Sequence, residues 1–179
     1  NMELIKNYEH KIASHCESGS CRNLLNYAGL NVSESLVFGV GAGLAFAYLV
    51  NTRGVGGLAI TAIRMPIASI FKNLSNFTGI KFFYKKFKKN SDAIEKLDQT
   101  LRENKPVSCC VDMFYMKYLP DFLQIHVPFH FITIIRKDND NYAISDPYYS
   151  QIGYLNKEYL KSAWETHAMH SNDNLLVHV

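Results

Sequence analysis

An uncharged run rich in β-branched residues, Phe131 to Ile135, is followed by the turn-forming stretch Asp138-Asn139-Asp140-Asn141 and then by a second uncharged run, Tyr142 to Ser145. Short apolar runs on either side of an Asx-rich turn predict an antiparallel hairpin. Its first strand carries no charge, so it belongs in the core of a sheet rather than at a wet surface. The hairpin also constrains what flanks it. The start of one strand and the end of its partner lie side by side, so His130, just before the first strand, and Asp146, just after the second, become neighbours.

The other elements fit around this hairpin. Val107 to Val111 is uncharged and suits a second central strand. Ser91 to Glu103 reads as a helix, with Ser91 as N-cap, Asp92 and Glu95 near the positive end of the dipole, and Ile94, Leu97 and Leu101 on one face. An earlier helix starts just after Cys16, where Ser18, Gly19 and Ser20 offer cap chemistry, and stops at Gly29. Shorter pieces are expected at Leu58 to Arg64, Ser69 to Phe77 (helix), Ile80 to Phe87 (strand), Asn156 to Glu165 (helix) and Leu175 to Val179 (strand), with Thr52 to Gly57 a loop or hairpin turn. Helix first and a β-rich second half make α+β the expected class.

A chain of 179 residues fits one domain, which at this size buries roughly 70% of its unfolded surface. With 47% hydrophobic and 20% charged residues the composition is globular. A net charge of +3 does not predict nucleic-acid binding. Much of the excess lies in Lys81 to Lys89, where Lys alternates with aromatics; a strand with one wet face gives this pattern, and the patch is kept as a docking surface for an acidic partner. The longest apolar run, Leu36 to Val50, is too short for a membrane span, for which about eighteen or more residues are expected, and it is broken by Gly39, Gly41 and Gly43, so it reads as buried core. Those glycines lack the G-x-G-x-x-G spacing of a dinucleotide loop and point to close backbone packing. Asn1 ahead of Met2 reads as a tag remnant. Cys16, Cys21, Cys109 and Cys110 show no metal-like CxxC pairs and no signal peptide pattern precedes them, so a cytoplasmic location with free thiols is expected.

Cys16 carries the chemistry. A thiol at a helix N-terminus and beside an imidazolium becomes a nucleophile near neutral pH. His130 is placed to supply the imidazole, and Asp146 to accept a hydrogen bond from its far nitrogen and fix the tautomer. Singly, each residue has a plainer reading: a buried small hydrophobe, a structural His, an Asp-Pro turn. Their conjunction points to catalysis. His126 is passed over because it does not open the strand, and His167 and His170 lie in a polar stretch. Asp112, after the strand at Val107 to Val111, is a candidate for meeting an amine substrate.

The chain resembles the N-terminal domain of the butirosin biosynthesis protein H family. The resemblance rests on His15-Cys16-Glu17-Ser18-Gly19-Ser20, Asn23 to Leu30, Ser33-Glu34, Phe38 to Leu44, Pro106-Val107, Val111-Asp112, Tyr118-Leu119-Pro120, His130-Phe131 and Asp146-Pro147. More distantly it is similar to the bacteriocin-processing peptidases of ABC exporters, with a Cys before a helix, a later His and strand, then Asp-Pro. The resemblance implies a papain-like fold, a nucleophile helix packed on an antiparallel sheet, and catalytic roles for Cys16, His130 and Asp146. The peptidases place a Gln shortly before the Cys, and Lys11 to His15 contains none. The oxyanion hole is then the Cys16 N–H and a side chain, His15 being the first candidate. Family members tend to continue into a second domain, so the chain is either the N-terminal part of a longer protein or a short member.

Three functions follow. Cys16 attacks a thioester and an amine resolves the acyl-enzyme, with an acidic acyl-carrier protein as implied donor and a small amine or peptide as acceptor. Alternatively the same residues hydrolyse a peptide or amide. In a third, different class, the domain keeps the fold and only binds a peptide or carrier. No metal or organic cofactor, nucleic acid or membrane partner is implied, and the sequence leaves the oligomeric state open.

Overall fold

The computed structural model describes residues 5–50, 57, 59–87, 90–165 and 174–179. Among them the chain forms five α-helices and eight strands: α1 (Cys16–Tyr27), α2 (Glu34–Val40), β1 (Leu44–Leu49), β2 (Ile60–Arg64), α3 (Ser69–Thr78), β3 (Phe83–Phe87), α4 (Asn90–Arg102), β4 (Val107–Val111), β5 (His130–Asp138), β6 (Asn141–Ser145), β7 (Ile152–Asn156), α5 (Lys157–Trp164) and β8 (Asn174–His178). Six strands make one antiparallel sheet in the order β3-β8-β4-β5-β6-β7.

The expected hairpin is β5–β6. Its turn uses Asn139 at φ 53°, a left-handed conformation that Asn tolerates better than most residues. A register shift between Ile134 and Arg136 bends β5. Alternation along β5 sends Ile132 and Ile134 into one core and Phe131 into another. The first core lies beneath α4 and α5, where Ala93, Ile94 and Leu97 of α4 and Leu160, Ala163 and Trp164 of α5 meet Val107, Cys109, Ile144 and Leu155. The second lies beneath α1 and α3, where Cys21, Leu24, Leu25, Phe71 and Leu74 pack on Phe131 and Val177. Each such large apolar side chain stabilises the fold by roughly 1.5–3 kcal/mol relative to exposure.

Leu36 to Val50 is not buried core, as its apolar character suggests, but splits into α2 and β1. Among the described residues β1 pairs only with β2, in a two-stranded sheet separate from the six-stranded one, and no further layer covers this ribbon. Leu44 is 71% and Phe46 77% exposed. An apolar run reports that a segment can be buried, not that something covers it. The expected close packing holds at Gly41 and Gly43, where a Cβ would lie 2.6 Å from the Val37 carbonyl and 2.4 Å from the Phe38 ring, but not at Gly39, around which there is open space. The expected loop at Thr52 to Gly57 lies almost wholly outside the described residues, as do His167 and His170.

Candidate active site

Helix α1 begins at Cys16 itself, two residues earlier than its serines suggest, because His15 is the N-cap: its Nδ1 accepts from the Ser18 N–H at 3.3 Å. As an acceptor, Nδ1 carries no proton, and burial, then the Arg64 charge, lowers the His15 pKa. The loop before Cys16 is clamped by Glu34 of α2. Its Oε2 accepts from the Ser14 N–H at 3.1 Å, and its Oε1 from the His15 N–H at 2.9 Å and the Ser18 hydroxyl at 3.2 Å. Glu17 reaches the other way. Its carboxylate accepts from the Ile70 N–H at 2.9 Å, supplying the cap that Ala68 cannot give α3, and burial raises its pKa to about 7.

Helix α1 crosses close to the Asp-Pro segment because residue 19 has no side chain. A Cβ there would lie 2.4 Å from Ala13 Cβ and 3.0 Å from Pro147 Cβ. The Ala13 N–H donates to the Pro147 carbonyl at 2.9 Å, and the Ser20 hydroxyl to the Phe131 carbonyl at 3.3 Å. These contacts fix Cys16 against the start of β5.

There His130 is 1% exposed. Its Nε2 lies 2.9 and 3.0 Å from the two Asp146 oxygens, as the hairpin predicts. The other ring nitrogen is thereby left free of Asp146, and Cys16, whose thiol lies 4.0 Å from the Phe129 carbonyl, is near enough to help raise the His130 pKa. Asp146 accepts two further bonds, from the Tyr118 hydroxyl at 2.7 Å and the Tyr148 N–H at 2.8 Å. Burial works against the charged forms of both members, but the Asp146–His130 bond prevails. It holds Asp146 below its usual range and, with Cys16, holds His130 up at about 9. The other thiols are suppressed: burial pushes Cys21, Cys109 and Cys110 upward.

Asp112, the candidate for meeting an amine substrate, is bonded within the protein. Fully buried, it accepts from the Phe114 and Val127 N–H groups at 3.1 and 3.0 Å, and its second oxygen meets His126 Nδ1 at 2.8 Å. It ties down the segment between β4 and β5. His126, stacked on Phe114 at 4.2 Å, belongs to this second pair and not to the Cys16 cluster.

Sequence reading did not assign roles to Tyr118 and Tyr148. The Tyr148 ring sits 5.0 Å from the His130 ring, tilted 37°, and burial, then the nearby Cys16 charge, raises the pKa of its hydroxyl. Its only signal is its place two residues beyond Asp146.

Among the described residues no three His, Cys, Asp or Glu side chains are grouped to hold a metal, and no helix is long and apolar enough to cross a membrane. A family model described as butirosin biosynthesis protein H, N-terminal, matches residues 15–147. No curated protein sequence matches the chain. Among solved structures, one described as a C39-like peptidase from Bacillus anthracis superposes with TM-score 0.65 at 15% identity, covering 100% of this chain and 98% of that one. The peptidase domain of Streptococcus ComA, described as a bifunctional ABC transporter, superposes with TM-score 0.57 at 13% identity, covering 96% and 98%. At these identities the likeness establishes the fold, that of the papain-like peptidase domains.

Proposed function

Since the chain belongs to the family of butirosin biosynthesis protein H, N-terminal, and is a cysteine-dependent enzyme of papain-like fold, we propose that it passes an acyl group from a thioester to an amine through an acyl-enzyme on Cys16. The observation that carries this reading is the buried His130–Asp146 pair, which leaves one imidazole nitrogen for the thiol.

Sγ attacks the thioester carbonyl as a thiolate, with its proton held by the His130 imidazolium. The tetrahedral oxyanion forms against the Cys16 N–H at the start of α1, where the helix dipole favours negative charge. Collapse expels the donor thiolate, which recovers the proton from His130. An amine then attacks the thioester on Cys16, His130 accepts its proton and returns it to the departing Sγ, and an amide leaves. Asp146 stabilises each imidazolium without itself becoming protonated. An acidic carrier protein would meet Lys81, Lys85 and Lys86, all exposed on or beside edge strand β3. That strand is three places from β5, about 14 Å across the sheet at the usual strand spacing, so the carrier would have to deliver its acyl group on a flexible arm.

Mass spectrometry after exposure to acyl-thioester donors tests the reading. Wild type is expected to gain one acyl mass and Cys16→Ala none. Added amine should discharge the adduct as an amide faster than water does. Discharge by water alone, at a rate indifferent to amines, would make the protein a hydrolase, the alternative that uses the same three residues.

A further inference from the structure

The Asp146 carboxylate is held symmetrically about His130. The imidazole Nε2 stands almost midway between its oxygens, 2.9 Å from Oδ1 and 3.0 Å from Oδ2. The Tyr148 N–H donates to Oδ1 at 2.8 Å and the Tyr118 hydroxyl to Oδ2 at 2.7 Å. The backbone here is fixed separately: the Tyr149 N–H donates to the Asp146 carbonyl at 3.1 Å, and the Ala13 N–H to the Pro147 carbonyl at 2.9 Å. Those backbone bonds leave the carboxylate able to turn about its own side-chain bonds. One further donor on each oxygen stops it.

Tyr118 reaches Oδ2 from the segment between β4 and β5. Its ring packs against Gly153 of β7, where a Cβ would lie 2.7 Å away, and against the Tyr149 ring at 5.5 Å. The hydroxyl's other neighbour, the Met116 sulfur at 3.4 Å, is a weak acceptor, so the proton points to Asp146. Burial, then the Asp146 charge, pushes the phenol's pKa well up, so it stays a donor throughout the range in which His130 can act.

We propose that Tyr118 is a positioning residue, its hydroxyl fixing the Asp146 carboxylate so that His130 presents its other nitrogen to Cys16. This rests on the reading of Cys16, His130 and Asp146 as the reacting set. The same bond draws negative charge from Oδ2, so Asp146 grips the imidazolium less tightly than it would with that oxygen bare. Loss of the hydroxyl then has two effects. The carboxylate turns and the imidazole with it, so acylation slows; and the bare oxygen raises the pH at which His130 gives up its proton.

The test uses Tyr118→Phe, Asp146→Asn and the double variant. It reads acylation of Cys16 by a p-nitrophenyl ester and, without any substrate, the midpoint of the His130 titration by imidazole NMR. Tyr118→Phe is expected to lower the acylation kcat on the order of 10-fold with KM within about twofold, and to raise the midpoint by about 0.5 pH or more. Added to Asp146→Asn, it should change kcat by no more than about twofold, because the carboxylate it acts through is gone. Gly153→Ala keeps the hydroxyl but pushes the ring that carries it, and should move rate and midpoint the same way; it decides the matter where Tyr118→Phe does not fold. A wild-type rate, or a midpoint that stays or falls, would overturn the proposal. An equal loss in the Asp146→Asn background would make Tyr118 a structural residue and overturn it too. Failure of wild type to form a Cys16 ester adduct would instead remove the acyl-enzyme reading, and the midpoint, read without substrate, would still decide the role of Tyr118.

Discussion

Burial by itself would keep His130 neutral; the Asp146 carboxylate and Cys16 reverse this and bring the imidazole to about 9. The folded value lies above the ordinary 6.5, so the stability this group contributes is fully present below about 6.5 and is lost as pH rises through about 9. Asp146, held low by the same bond, contributes above its ordinary value and loses its share as pH falls. The difference in melting temperature between wild type and Asp146→Asn should therefore be widest near pH 5–6 and shrink toward pH 9.5. The same variant should acylate about 10²–10⁴-fold more slowly. In the native protein iodoacetamide should label Cys16 alone, with the three suppressed thiols reacting only after unfolding, as peptide mapping would read. At this scale the sequence disclosed the pair that a hairpin makes adjacent, His130 and Asp146. It did not disclose Tyr118, 28 residues from the Asp146 it bonds, or Glu34, 20 residues from the loop it clamps. Such contacts depend on how separate elements dock, which no local pattern encodes.

Among the elements, those buried on both faces were the easiest to read. Val107 to Val111 has the predicted ends because its charge-free run is bounded by Pro106 and Asp112, and α5 lies within one residue of each end expected for it. Strand β7 went unseen: it contains Gly153, placed there because the Tyr118 ring lies 2.7 Å from where its Cβ would be, and it runs into α5 without a turn. Helix α1 makes the sharpest prediction. Gly19→Ala improves helix propensity, yet its methyl would strike Ala13 and Pro147, neither of which can rotate aside. The clash should destabilise the protein by about 1–3 kcal/mol in urea denaturation, and acylation should fall because Cys16 moves from His130.

Across the whole molecule, stability and apolar character are distributed unevenly. Phe131, buried where α1 and α3 meet the sheet, should cost about 3–5 kcal/mol when cut to Ala. Phe46→Ser on the exposed ribbon should change unfolding free energy by no more than about 0.5 kcal/mol. Equilibrium denaturation of both variants checks the contrast. The strand order has a further consequence, for the growing chain. Strand β8 is made last of the eight but sits between β3 and β4. While the chain is being translated, α1 and the β5–β6 hairpin can already meet, but β3 has no neighbour and β4 keeps one bare edge until residues near 176 leave the ribosome. Assembly of the sheet is thus deferred until β8 has emerged, and until then nascent chains on one polysome present each other with unpaired edges.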